Sequence, residues 1–236
     1  MKEDRRARLW NLVVEKARGE AITVGHVCAA TISVAGVDAA AVTMVLDASP
    51  RETVYASAQL ASDMAELTVT LGEGPGAEIS LDGPVLVGEL AAAECQTRWP
   101  LYAPAAVAAG VRALFAFPLR VGGVGVGVMG LYRVEPGNLS RDQLADALVL
   151  ADTVLALLLD TGRNPQPLLD GRWSEQAGSQ HPEVHQATGM ITVQLGVTAA
   201  VALVRLRAYA FSQDRRLSEV AKDVVTRRLR FDGSEP

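Results

Sequence analysis

The sequence is poor in the residues that most hydrolytic, redox and metal-dependent enzymes rely on. It has three histidines and two cysteines in 236 residues. Cys28 and Cys95 have neither metal-ligand nor redox spacing, and no disulfide is expected between them in a chain that reads as cytoplasmic. His181 and His185 lie four apart with Glu183 between them, but no third ligand converges on them, so no metal is expected. No Ser/His/Asp set or carboxylate pair emerges, so the chain reads as a non-enzyme with no cofactor. Long apolar runs are also missing. The longest, 145–159, is broken by Asp146 and Asp152, short of the roughly 18 residues of a membrane span. The opening MKEDRRARLW lacks the apolar run of a secretory signal. Aromatics are only 5%, so the core must be packed from many small Ala, Val and Leu side chains.

What charge there is lies unevenly. The net charge of −5 divides into −7 over residues 1–179, +4 over 180–231 and −2 over the tail 232–236. The positive stretch carries Arg205, Arg207, Arg215, Arg216, Lys222, Arg227, Arg228 and Arg230. A basic module on an acidic body points to a polyanionic partner.

The pattern along the chain is mixed and then purely helical. Residues 4–18 read as a helix stopped by Gly19, and Thr23 caps a second helix ended by Gly36. Residues 40–46 and 53–56 read as strands joined by the turn 47–50. Residues 58–66 look helical; 68–71 then lead into the loop 72–76, and 84–87 form a short strand. A short helix at 100–109 closes at Gly110. A hairpin of 113–120 and 124–133 turns on Gly122 and Gly123, and Gly125, Gly127 and Gly130 in its second strand suggest bulges or close backbone approach. Ser140 caps a long helix from 141 to about 160. Residues 161–179 hold two prolines and three glycines and read as a linker on which Leu168, Leu169 and Trp173 can dock. Beyond it, Val184, Ala187, Thr188, Ile191 and Leu195 share one helical face, and Gly196 stops that helix. Thr198 caps the next helix, lined by Leu203, Leu206 and Ala210. Ser218 caps a third, lined by Leu217, Val220, Ala221, Val224 and Val225.

Residues 184–225 carry a series of recognisable features. They are Ala187-x-Gly189-Met190, Gly196-Val197-Thr198, Ala202-Leu203, Leu206-Arg207-x-Tyr209-Ala210, Arg215-Arg216-Leu217 and Val220-Ala221. This run resembles an ANTAR domain, a three-helix module of bacterial transcription antiterminators. Thr188 departs from the pattern, since many members carry lysine there. Upstream, RETVYAS (51–57), LGEGPG (71–76), PVLV (84–87), RWP (98–100), VRALFAFPLRVG (111–122) and LADAL (144–148) occur in order. Together these resemble a GAF domain of the kind that precedes ANTAR modules in actinobacteria. The resemblance implies an α+β GAF domain, an antiparallel sheet with helices on its faces, followed by an all-α three-helix ANTAR module. The expected division is an N-terminal helix (1–19), a GAF sensor domain (20–160), a linker (161–179), an RNA-binding module (180–231) and a tail (232–236).

The implied partner is hairpin RNA in a nascent transcript, bound by a homodimer, with an unknown small ligand at the GAF domain and no membrane. The candidate RNA contacts are Gln186, Thr188, Gly189, Arg205, Arg207, Tyr209, Arg215, Arg216, Arg227 and Arg228. RNA recognition needs cations for phosphates and planar or polar groups for loop bases. Arg205 and Arg207, two apart, splay about 200° around a helix. Arg215 and Arg216 sit in the following loop, and Arg227, Arg228 and Arg230 end the third helix. Tyr209 either stacks on a base or plugs the core. Gly189 costs about 1 kcal/mol against alanine in a helix; tight helix packing explains it somewhat better than close approach of RNA. In the GAF region Tyr55, Arg112, Phe117 and Tyr132 can line a pocket between sheet and helices, although core packing explains the aromatics equally well. The cysteines lack the context of a tetrapyrrole site, and the Asn-Lys-x-x-Phe-Asp-Glu motif of cyclic-nucleotide binders is absent. The run 122–127 superficially resembles a phosphate loop but has no lysine and sits in a hairpin.

Two other readings stand beside an RNA-binding antiterminator. One is a DNA-binding or protein-recruiting regulator, which needs a helix whose N-terminal end reads bases; the second C-terminal helix instead starts with Ala199, Ala200 and Val201. The other is a ligand-binding scaffold with a degenerate ANTAR module.

Overall fold

The structure, a computed structural model, describes residues 2–44, 52–77, 83–163, 182–213 and 215–231. The turn expected at 47–50, most of the linker with Leu168, Leu169 and Trp173, His181 and the tail lie outside the described residues. The order is α1 (Lys2–Ala17), α2 (Val24–Ala35), β1 (Ala39–Met44), β2 (Glu52–Ala56), α3 (Gln59–Leu71), β3 (Val85–Val87), α4 (Ala93–Arg98), α5 (Tyr102–Ala108), β4 (Ala113–Val121), β5 (Val124–Arg133) and α6 (Arg141–Arg163). Three further helices follow: α7 (Pro182–Leu195), α8 (Ala199–Ser212) and α9 (Leu217–Val225). Among the described residues no single helix is long and apolar enough to cross a membrane.

The five strands form one antiparallel sheet in the order β2-β1-β5-β4-β3. Successive residues of a strand face opposite sides, and here both sides are buried. Ala40, Val42, Phe115, Phe117, Leu119, Met129 and Leu131 pack with Leu9, Val13, Val27, Leu150 and Val154 of α1, α2 and α6. Ala39, Ala41, Leu114, Ala116, Val128 and Tyr132 pack with Met64, Trp99, Tyr102 and Ala106 of α3 and the α4–α5 region. The N-terminal helix is thus built into the main core: Leu9 and Val13 are fully buried, worth about 1.5–3 kcal/mol each. Its cationic face is anchored too. Arg5 and Arg8 reach the buried carboxylate of Asp146 at 2.9 and 2.6 Å, which accounts for an acid in the apolar run of α6.

Local signals set most boundaries. The amide N–H of Thr23 donates to His26 Nδ1 at the start of α2, and Gly36 ends it in the left-handed region (φ 62°). At α6 the Ser140 hydroxyl accepts from the Gln143 N–H while Gln143 accepts from the Ser140 N–H, a reciprocal cap. α3 runs five residues past the helix expected at 58–66 and stops at Gly72 (φ 68°); its β-branched Thr68, Val69 and Thr70 stay helical because Thr68 and Val69 are buried. α4, with polar AECQTR and no periodicity, gave no sequence signal. Pro118 is tolerated in β4 because, among the described residues, β3 pairs only with 114–116 and leaves the edge at Pro118 unpaired.

The glycines of β5 serve two ends. A Cβ on Gly127 would overlap the Thr43 carbonyl oxygen of the neighbouring strand, and one on Gly130 would meet the Tyr132 hydroxyl at 2.7 Å. Gly125 lies where the β4–β5 register shifts. Gly127→Ala should therefore lower stability by about 1–3 kcal/mol, as overpacking does. Gly123→Ala, with nothing within 4 Å, should stay within about 0.5 kcal/mol of wild type. Urea denaturation followed by circular dichroism measures both.

Candidate nucleic-acid interface

The three C-terminal helices enclose their own small core. Val184, Ala187, Ile191, Ala202, Leu206, Ala210, Leu217, Val220, Ala221 and Val224 are buried together. Pro182 opens α7 at the position where its missing N–H costs nothing. Gly196 (φ 65°) turns the chain, and the Thr198 hydroxyl accepts the Val201 N–H at the start of α8. α9 begins one residue earlier than the expected cap. Arg216 is its N-cap, Leu217 its first residue, and Ser218 lies inside it, because Leu217 must face the core in step with Val220, Ala221 and Val224.

The candidate contacts fall into three groups. The first is withdrawn into the module. Thr188 is buried and its hydroxyl donates to the Val184 carbonyl at 2.7 Å, so this side chain offers nothing to a partner in this arrangement. Tyr209 packs edge-on against Phe231, ring centres 5.5 Å apart, and is partly buried against the module's core.

The second group is engaged within the protein. Arg207 Nε donates to the Val69 carbonyl of α3 at 2.8 Å, and burial pulls its guanidinium pKa down. Arg216 lies against Asp63 and Glu66 of α3 at 3.4 and 3.3 Å. Arg215 and Arg228 both grip Asp223, at 2.8 and 2.6 Å. Hydrogen bonds from Arg215 and then Arg228 hold the Asp223 carboxyl below its ordinary value of 3.8.

The third group faces outward. Arg205 is exposed on α8, on the side away from Arg207, as the 200° splay requires. Gln186 and Gly189 lie on the outer face of α7. Nothing stands within 4 Å of where a Gly189 side chain would be, so tight helix packing does not explain this glycine. With Met190, Val193 and Gln194 these residues form one wall of an open groove of about 630 Å³, whose other wall is Arg227, Leu229 and Arg230. Val193 is 83% exposed. The three arginines expected to end the third helix lie beyond it, since α9 stops at Val225 and Arg227 takes a left-handed backbone (φ 60°). That turn swings the basic segment back alongside α7, where Gln194 accepts the Phe231 N–H. Met190, Val193, Gln194 and Leu229 were not among the sequence candidates. Their signal was present: 186, 189, 190 and 193 form an i, i+3, i+4, i+7 stripe opposite the buried one.

The four residues considered for a GAF pocket do not converge. Phe117 is buried on the α1, α2 and α6 side of the sheet, and Tyr132 on the opposite side. Tyr55 lies partly buried against the first of these cores, and Arg112 is exposed at the start of β4. Strand alternation separates them, because 117 and 132 point to different faces. A cavity of about 20 Å³ does lie beneath α3, between Ala65, Thr68, Tyr102 and Tyr132. That is room for about one water, far below the 300 Å³ or more of usual ligand sites. Cys28 is buried, and burial alone raises its thiol to about 12, so it is chemically quiet.

The chain thus joins a two-faced antiparallel sheet domain to a basic three-helix module. The particular domains follow from two family models: the GAF domain matches residues 23–158 and the ANTAR domain residues 175–225. The chain belongs to the GAF domain family, and its C-terminal module belongs to the ANTAR family of RNA-binding antitermination domains. Both are regulatory rather than catalytic domains. The GAF domain of a phosphoenolpyruvate-protein phosphotransferase from Coxiella burnetii superposes with a TM-score of 0.50 at 13% identity, over 68% of this chain and 98% of that one. That of the Acinetobacter phosphotransferase gives 0.49 at 10% identity, over 70% and 98%. At 13% identity, the likeness to the Coxiella burnetii domain speaks to the fold alone. Proteins of curated function give no match.

The Asp223 hub makes a pH prediction. Its folded pKa is lowered, so its stabilisation is present above pH 3.8 and is lost as pH falls through the folded value. The difference in Tm between wild type and Asp223→Asn should be largest at neutral pH and shrink as the pH is taken down toward about 2. Thermal melts across this range measure it, and a pH-independent difference contradicts the assignment.

Proposed function

We propose that the protein is a transcription antitermination regulator whose ANTAR module binds hairpin RNA in a nascent transcript, in the cytoplasm. The observation that carries this reading is the groove along α7. It joins an exposed side-chain-free position (Gly189), an amide (Gln186) and the basic segment after α9 on one open surface. Backbone approach at a glycine, amide hydrogen bonding to base edges and arginine contact with phosphates are the elements that unpaired RNA loops require. A DNA reader is less well supported, because the exposed start of α8 is Ala199, Ala200 and Val201.

The test is a titration of the full chain with a two-hairpin RNA and with duplex DNA across a salt series. RNA should bind more tightly than DNA. Arg227→Ala and Arg205→Ala should each weaken RNA binding and each reduce the log–log salt slope by about 0.7–0.9. Equal affinity for the two nucleic acids, or unchanged slopes, contradicts the reading.

For the GAF body, the filled interior favours a dimerisation role over an enclosed small-ligand site. Trp10 and Val14 of α1 and Leu148 and Leu159 of α6 are 41–48% exposed. An apolar groove of about 450 Å³ runs between the two helices. A second copy covering this face would bury those side chains on a two-fold axis. Light scattering should give twice the 24.9 kDa chain mass, and Trp10→Glu should shift the protein toward monomer.

A further inference from the structure

We propose that helix α3 of the GAF body is a docking surface for the protein's own ANTAR module, and that docking and full engagement of RNA are mutually exclusive. This rests on the RNA reading above and names its regulation. The surface is specific. Val69 of α3 is buried in the core of the ANTAR module, among Val184, Leu206 and Leu217. Arg207 Nε donates to its carbonyl at 2.8 Å. That carbonyl belongs to the last turn of α3, whose terminal C=O groups lack helical partners and carry the negative end of the dipole. Gly72 ends the helix there with its α-carbon open toward the guanidinium; a Cβ would lie 3.3 Å from Arg207 Nη1. One turn back, Asp63 and Glu66 flank Arg216, and Ser218 donates to Glu66 at 2.6 Å. Three consecutive positions on one stripe, 63, 66 and 69, thus occupy three side chains of the output module.

Occupation by α3 removes these groups from RNA. A guanidinium spent on Val69 or on Asp63 and Glu66 has its donors turned into the seam, and acidic side chains stand where phosphates would have to come. The docked module still presents Gln186, Gly189, Arg205 and Arg227 to solvent. RNA can therefore make a first contact on the α7 groove and gain two more cations when the module leaves α3.

The contact is built to release. The Arg216 pairs are partly solvated, and such pairs contribute little and are screened by salt. Arg207 is half-buried against a neutral carbonyl, so docking takes its charge out of water with no carboxylate in exchange. Packing at the seam is incomplete: a groove of about 600 Å³ stays open between α3, α5 and α8, edged by Met64, Leu101 and Phe211.

The test uses the full chain and a two-hairpin RNA. Asp63→Asn/Glu66→Gln weakens the dock; Glu15→Gln/Glu20→Gln changes the charge equally at two exposed positions, one on α1 and one just after it. Val69→Arg is a second opening variant. Small-angle scattering reports separation of the two parts, and titration over a salt series reports affinity. Opened variants should bind about tenfold tighter than the control pair, with a salt slope steeper by about 1.4–1.8, the increment of two added phosphate contacts. Opened variants that bind like the control pair, while wild type binds RNA, overturn the exclusion and leave the RNA reading standing. No RNA binding by any protein, opened ones included, overturns the RNA reading itself. Variants that all remain closed overturn release.

Discussion

Burial of both faces of the sheet is the constraint on which the rest depends. A strand covered on two sides has no polar face to spend, and β1 accordingly runs Ala39, Ala40, Ala41, Val42 with alternate residues serving different cores. The alanines let helices approach closely from either side. They also leave little free volume, so the space beneath α3 is closed by Tyr102 and Tyr132. The same packing fixes α3. Ala61, Met64 and Ala65 hold one side of that helix against the sheet, and the stripe 63, 66, 69 is left facing the output module. How the core of the body is filled therefore decides what the C-terminal module meets.

Much of this architecture was legible in the sequence, and the reasons differ by element. The caps at Thr23, Ser140 and Thr198 and the stops at Gly36, Gly110 and Gly196 are local chemistry, and local chemistry can be read from a few residues. The β4–β5 hairpin announced itself through Gly122 and the apolar runs beside it. α3 was read short because Thr68, Val69 and Thr70 look like strand, and only their burial against distant residues keeps them helical. The cap of α9 was placed two residues late for a similar reason: Ser218 resembles a cap, but the core demands Leu217 inside the helix, with Arg216 as its N-cap. Of the four proposed pocket residues, Phe117 and Tyr132 fall on opposite faces of the sheet, a matter of strand parity and register that the sequence alone does not give.

For the interface, residue type was legible and allegiance was not. Ten positions of suitable chemistry lie in the module, yet an arginine's sequence does not say whether its partner is a phosphate, Asp223 or the end of α3. The structure divides them by geometry: Arg205 and Arg227 outward, Arg215 and Arg228 onto an internal carboxylate, Arg207 and Arg216 across to the body. The division explains how a module with a net charge of +4 can sit against an acidic body without having all of its cations available at once.

The backbone at Arg227 carries a consequence of its own. A left-handed conformation costs a non-glycine residue roughly 1 kcal/mol or more. Arg227→Gly would relieve that strain and make the module sturdier, while taking a cation from the wall of the groove. Stability and charge pull in opposite directions at this residue, so selection for heat resistance alone would strip a cation from the wall of the groove.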